Sequence, residues 1–335
     1  MDVDVFVAVH RAEWARLDEL SRRRRKLTGP EVDELVTLYR RTATHLSLVQ
    51  SAAPDPVLVG NLSSLVARGR SAVTAPRGSG WKDALLFLTT RFPAALYRTR
   101  RWWLTTALVF VAVSTLIGVW VATDESVQAT IAAPDEIREL TRPGGDFETY
   151  YSSNPASSFA AQVMTNNAWV AAGSLALGIF FGLPVLFILL QNAANVGVAG
   201  GLMAHAGRFD VFLGLIAPHG LLELTAVFVA AGTGLRLGWT VIDPGPRTRG
   251  RALAEEGRIA IGMAIGLALV LVVSGVIEAF VTPSDLPTWG RIGIGVAAEA
   301  LFLSYALILG RRAHGAGETG DMASSDVADE LPAVG

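Results

Sequence analysis

A histidine and a glutamate four residues apart, His219 and Glu223, stand inside the apolar stretch "PHGLLELTAVFVAAG" at 218–232. That spacing puts both side chains on one helix face. An ionisable group in an apolar run is costly unless it is paired or put to use. Two more carboxylates share the predicament, Glu278 in "SGVIEAF" and Glu299 in "GVAAEAL". Asn166, Asn167, Gln191, Asn192 and Asn195 add amides. Three chemistries are open to such a set. The groups can hydrogen-bond between helices and fix their packing, at about 0.6–2 kcal/mol per bond, with a higher cost for each group left unpaired. They can relay protons or ions. They can ligate a metal, with His219 and Glu223 as two donors and Glu299 as a third. Against the metal, the H-E-x-x-H pattern is absent and the apolar runs hold one other histidine, His205. We expect no metal and no cofactor.

The elements that must hold these groups are membrane helices. The chain has 335 residues, of which 51% are hydrophobic and 17% charged. A soluble domain has about a quarter of its residues charged, and here the deficit falls on one part of the chain. Residues 1–101 are rich in Arg, Asp and Glu, whereas 102–310 hold nearly all the long apolar runs. The net charge of −2 suggests no nucleic-acid partner. With no cysteine, disulfides, thiolate catalysis and cysteine metal sites are excluded. Walker A, G-x-S-x-G and dinucleotide signatures are missing too, so no enzyme activity is expected. The opening residues carry acids early and lack a basic segment before an apolar core. The first span is therefore expected to act as an uncleaved insertion signal.

Helical periodicity over 4–20, 31–51 and "VLVGNLSSLVARGRSAV" predicts a three-helix domain over 1–80. "SRRRRK" at 21–26 is either a solvated helix end or a lipid-facing patch of Arg22, Arg23, Arg24 and Arg25, each worth about 1 kcal/mol near an anionic surface. "WKDALLFLTTRFPAALYRTRR" at 81–101 reads as an interfacial amphipathic helix, bent at Pro93. The membrane domain follows over 102–310. Its first span is 102–122, near the 20 residues a crossing needs, with Trp102, Trp103 and Trp120 toward its ends. An acidic loop over 123–165 is expected outside. The region 168–206 is too long for one span and short for two. Spans at 211–235, 259–281 and 291–310 complete the set. Measured from an outer end near 211, His219 and Glu223 lie close to mid-membrane, Glu299 at comparable depth, and Glu278 near the outer end of its span.

Arginine placement orients the chain. Arg91, Arg98, Arg100 and Arg101 precede the first span. Arg236, Arg247, Arg249, Arg251 and Arg258 cluster at 236–258, and Arg311 and Arg312 follow the last span. Placing all three groups in the cytoplasm makes 168–206 enter and return, as two short helices or as one span plus a re-entrant piece. The expected fold is all-α, a polytopic membrane bundle of about six segments with an N-terminal cytoplasmic helical domain and both termini inside. The acidic tail, 311–335, is expected to be disordered. Four G-x-x-x-G pairs, Gly178/Gly182, Gly197/Gly201, Gly234/Gly238 and Gly262/Gly266, support a compact bundle or a homo-oligomer.

Several of these segments together resemble the stage II sporulation protein M family of bacterial membrane proteins. They are "PHGLLELTA" with "AAGTGLRLG", "TNNAWVAAGSLALGIFFG" leading to "LLQNAANVGVAGG", and "SGVIEAFVTPS"; "LYRRTATHLSLVQ" and "NLSSLVARGR" are similar to the longer members. The family commonly has Asn-Gly where this chain reads "QNAANVG". The resemblance implies a non-enzymatic protein of the bacterial cytoplasmic membrane. In endospore formers such a protein is a scaffold that recruits cell-wall hydrolases. Family members occur in bacteria that form no endospores, so engulfment itself is not implied. Carried over by position, the motif residues are Asn166, Asn167, Asn192, His219, Gly220, Glu223 and Glu278. The partners expected are membrane lipids and other membrane or envelope proteins, such as a wall hydrolase or an ATPase. The Ala, Arg and Gly richness fits an actinobacterial source. A transporter or channel with an intramembrane Glu/His relay is the alternative. Its expected internal repeat is reduced here to the faint echo of "SGVIEAF" in "GVAAEAL".

Overall fold

The structure, a computed structural model, describes residues 3–23, 27–52, 55–74, 80–150 and 156–322. Among these the regular structure is helical throughout, and the chain divides into two compact units, Met1–Asp83 and Ala84–Gly335.

In the first unit, α1 (Val3–Arg22), α2 (Gly29–Ala52) and α3 (Pro56–Thr74) bury a single apolar stripe each. Trp14, Leu17 and Leu20 meet Leu35, Leu38, Val49, Leu62 and Leu65 in one core. Arg22 pairs with Asp18 at 2.8 Å, and Arg23 with Glu19 at 3.0 Å. Arg24 and Arg25, the other half of the basic run, lie outside the described residues. At one end of this core the Trp14 indole N–H donates to His45 Nδ1 at 3.2 Å. His45 is thus held neutral with its proton on Nε2. Burial, and then the nearby His10, push its pKa below the ordinary histidine value, with Glu13 opposing and Arg41 adding to the shift. The unfolded chain therefore binds a proton that the folded unit resists. Stability is expected to fall as pH drops below the unperturbed value of 6.5 and to level off once His45 protonates in the fold. Thermal unfolding between pH 7.5 and 5.5 checks this, and His45→Gln, which keeps an acceptor but cannot titrate, should flatten the profile.

The unit boundary falls within α4 (Gly80–Leu86), after which the second unit continues with a widened turn at Phe87–Arg91 and α5 (Phe92–Arg98). In the wide turn the Phe92 N–H bonds to the Phe87 carbonyl, five residues back. Pro93 explains it, because proline has no N–H for the carbonyl four residues back and its ring crowds that carbonyl. The expectation of an interfacial helix over 81–101 needs correction in its second half. Phe92, Pro93, Ala94, Ala95 and Leu96 are buried, because residues from the far end of the chain cover them.

Six longer helices follow: α6 (Arg100–Thr123), α10 (Ala156–Leu177), α11 (Leu183–His205), α12 (Phe209–Ile242), α13 (Arg249–Phe280) and α14 (Thr288–Ser304). Short helices α7 (Glu125–Ile131), α8 (Pro134–Thr141) and α9 (Asp146–Tyr150) lie between α6 and α10. After α14, a widened turn at Tyr305–Leu309 runs into α15 (Gly310–Gly315). Among the described residues, five helices are long and apolar enough to cross a membrane: α6, α11, α12, α13 and the run from α14 through α15. The chain is an all-α polytopic membrane protein. The ambiguous region resolves into two helices, α10 and α11. The polar segment ends earlier than expected, since α10 begins at Ala156 rather than near 168. Its first turns carry Ser157, Ser158, Gln162 and Thr165, which lower hydropathy without preventing a helix.

Glycine fixes how these helices meet. Gly182, at φ +74°, lets the chain reverse between α10 and α11. At that reversal a Cβ on Gly178 would stand 2.3 Å from the Gly234 carbonyl oxygen, and one on Gly238 would stand 2.5 Å from that of Gly178. A Cβ on Gly197 would lie 2.7 Å from the Ser114 carbonyl, and one on Gly201 2.6 Å from that of Gly118. Gly266 receives the Phe92 ring. The G-x-x-x-G pairs are thus taken up by contacts within this chain, whatever its oligomeric state.

One end of the bundle gathers the arginines. There Arg236 holds Glu256 through Nε and Nη2, both at 3.0 Å, and Arg98 bridges Glu255 and Glu256 at 2.8 Å each. Arg247 adds a bond to Glu255 at 2.6 Å. At about 1.5 Å per residue, α12 and α13 are far longer than the roughly 30 Å hydrocarbon layer, so this network has room beyond it. The tail expected to be disordered from 311 is ordered as far as Met322. Arg258 grips Asp321 with two bonds, at 2.7 and 2.6 Å, and Arg98 reaches the Thr319 carbonyl at 3.4 Å. Low hydropathy hid these anchors, which are an ion pair and backbone contacts. Residues 323–335 lie outside the described set. At the opposite end, Arg208 pairs with Glu148 and donates to the Thr141 carbonyl, tying α8 and α9 to the α11–α12 turn. The Arg208 guanidinium holds the Glu148 carboxyl below its usual range.

Candidate functional site

The apolar run of α12 carries His219 and Glu223 one turn apart, and both are only 4% exposed. Pro218, just before them, removes one helix hydrogen bond. Its own carbonyl and that of Ala217 press on Gly295 of α14, where a Cβ would lie 2.5 and 2.7 Å away. The other side of the His219 face meets α13. Glu278 places Oε1 3.7 Å from His219 Nε2, and Thr282 sets Oγ1 3.4 Å from His219 Nδ1. Ser274 donates to the His219 backbone carbonyl at 3.0 Å. From α10, the Asn167 amide hydrogen-bonds the Glu223 carboxylate. Glu223 and Glu278 are near enough for their charges to interact. Three helices and the turn that follows α13 therefore deliver one closed group: His219, Glu223, Glu278, Asn167 and Ser274 from the helices, and Thr282 from the turn.

Glu299 does not join this group by any bond among the described residues. It binds α14 to another face of α12, accepting from Thr225 Oγ1 at 2.8 Å. Two acceptor atoms in the region are buried without a hydrogen bond, Glu278 Oε1 and Glu299 Oε2. Asn192 turns onto its own helix and donates to the Ile188 carbonyl at 2.8 Å. Asn166 is exposed and Gly220 is buried. Ser274, Thr225 and Thr282 were missed by sequence reasoning, although Ser274 lies four residues before Glu278 and so shares its face. His219, Glu223 and Glu299 do not converge as a metal-ligand set. Among the described residues the groups that could jointly hold an ion are His10, Glu13 and His45, with ligand atoms within 4.8 Å of one another. There the Trp14 N–H already engages His45 Nδ1.

The closed group lies inside the part of the chain that has known relatives. Residues 107–283 match Stage II sporulation protein M, a stretch that spans more than half the chain and contains α10 through α13. This chain belongs to the Stage II sporulation protein M family. Of the groups gathered around α12, family membership covers His219, Glu223, Glu278, Asn167, Ser274 and Thr282, while Glu299 falls beyond the matched residues. Residues 4–75, the three-helix unit, match a domain of unknown function, DUF8413. An uncharacterized protein of Methanocaldococcus jannaschii is 28% identical over 123 residues, which cover 36% of this chain and 69% of that protein. No solved structure matches the chain.

Proposed function

We propose that the chain is a non-enzymatic multi-pass scaffold of the bacterial cytoplasmic membrane that recruits envelope-remodelling partners. The observation that carries this reading is the closure of the polar group. His219, Glu223 and Glu278 are each at most 4% exposed, and the bonds of His219 and Glu223 run from α12 to α10, to α13 and to the turn after it. Such an arrangement suits locking helices together, which is the modest but cumulative role of polar groups between membrane helices. A locked bundle leaves its work to its surfaces. The arginine-rich end faces the cytoplasm in this reading. The α7–α9 segment then stands outside, where a wall hydrolase could be met, and the three-helix unit offers a cytoplasmic surface for a partner such as an ATPase. Affinity purification from crosslinked native membranes tests the proposal. A reproducible, near-stoichiometric envelope partner is the expected result, and a protein that purifies alone as a defined homo-oligomer would count against it.

A second reading, a proton or ion relay, is favoured by one observation: the buried, unbonded Glu278 Oε1 and Glu299 Oε2. Glu223→Gln separates the two. The amide still accepts from Asn167, so a locking role predicts normal expression and unchanged partner capture. Loss of function in a variant that folds and expresses normally would transfer the role to titration.

A further inference from the structure

The wedge between α6 and α11 has no part in the polar group described above. The two helices are pinned where Gly118 meets Gly197 and Gly201. Toward the arginine-rich end they line a crevice of about 490 Å³, within the usual range of ligand sites, about 300–1,000 Å³. Its walls include Val109 and Val113 of α6, with Leu186, Leu190 and Ala193 of α11. Its mouth carries Arg101, Trp102 and Thr105. From Arg101 to Val113 a helix rises about 18 Å, close to one leaflet of a hydrocarbon core roughly 30 Å thick. Several arginines at this end are committed. Arg98, Arg236 and Arg247 hold Glu255 and Glu256, and Arg100 lies over the Tyr97 ring at 3.8 Å. Arg101 is exposed and meets no carboxylate among the described residues.

We propose that this crevice is a binding site for one anionic phospholipid, with an acyl chain lying between α6 and α11 and the phosphate at Arg101. The shape selects an extended chain one leaflet long. The cation and the interfacial tryptophan sit where the headgroup must be. Site-bound lipid would fill the wedge that the glycine crossing opens, so it should stabilise the bundle as well as bind to it.

The test uses the full chain, purified in mild detergent, delipidated, and titrated with dioleoyl-phosphatidylglycerol or dioleoyl-phosphatidylcholine. Native mass spectrometry reads the bound copies and thermal unfolding reads the stabilisation. One saturating phosphatidylglycerol is expected, with a larger thermal shift than phosphatidylcholine gives. Arg101→Ala should weaken phosphatidylglycerol about fivefold, as one interfacial charge would, and leave phosphatidylcholine unchanged. Val109→Trp and Leu190→Trp fill the crevice from positions 54% and 55% exposed, so the fold should tolerate them while the saturating copy is lost. Equal responses to the two lipids, with no effect of Arg101→Ala, would reduce the crevice to ordinary lipid solvation and overturn the proposal. So would a disulfide between copies through Val109→Cys in native membranes, which would give the crevice to a second chain.

Discussion

Glu256→Ala is expected to cost the membrane bundle about 3–5 kcal/mol, the usual effect of removing one partner from a buried ion pair. Glu256 is 3% exposed and receives both Arg236 and Arg98. Without it, two guanidinium groups remain at 20% and 13% exposure with their donors turned toward an apolar methyl. Arg98 retains Glu255 at 2.8 Å, whereas among the described residues Arg236 retains only its bond to the Arg98 carbonyl. Thermal unfolding of the purified chain in detergent reads the loss. Glu139→Ala is the control, because it breaks only a half-exposed pair with Arg142, and exposed pairs contribute little to stability. Glu256→Gln should fall between, since it still accepts hydrogen bonds without a charge. Replacing Glu256 by leucine and Arg236 by methionine together should recover part of the stability, because no unpaired charge is then left at that contact. Equal stability of Glu256→Ala and Glu139→Ala would show that the network is decorative.

Gly234→Ala comes next in size. A methyl there would stand 2.0 Å from the Ser174 carbonyl oxygen, and the obstacle is backbone, which cannot swing aside. Overpacking commonly costs about 1–3 kcal/mol, and a contact between two helix backbones belongs at or beyond the upper figure. Gly257→Ala on α13 is the matched comparison, for a Cβ there has nothing within 4 Å. Alanine should then stabilise the helix by about 0.5–1 kcal/mol relative to glycine. The two substitutions should move the unfolding temperature in opposite directions. If both raised it, α10 and α12 would have to be free to separate, and the glycine crossing would lose its meaning.

The sequence disclosed faces more readily than meetings. Four-residue spacing puts His219 with Glu223, and apolar lengths foretell α6, α12, α13 and α14. Neither says which helix faces which. Glu278 looked shallow and His219 deep, yet they stand 3.7 Å apart, because α12 runs 34 residues and its depth cannot be counted from a hydropathy edge. Glu299 looked like a companion of Glu223, and it binds Thr225 instead. Two residues along a helix turn a side chain by roughly 200°, so the neighbouring helix sees a different group. The burial of α5 was illegible for another reason. "RFPAALYR" has the composition of an interfacial helix, and part of what covers it, Gly320 on Ala95, belongs to sequence that reads as a polar tail. The latch at Glu256 went unnoticed because its members, Arg98, Arg236 and Glu256, are more than 150 residues apart at the extremes.

The covering of α5 has a consequence for biosynthesis. Pro93 is capped by Gly310, and Ala95 by Gly320, so an early segment of this unit is sealed by residues made much later. At about 5–20 residues per second, the roughly 220 intervening residues take on the order of 10–40 s to make. Throughout that interval Pro93 and Ala95 lack their native cover from Gly310 and Gly320 and must shelter against lipid or an insertion factor. The bundle cannot close progressively behind the translocon, and closure over α5 waits on the synthesis of residues 310–320.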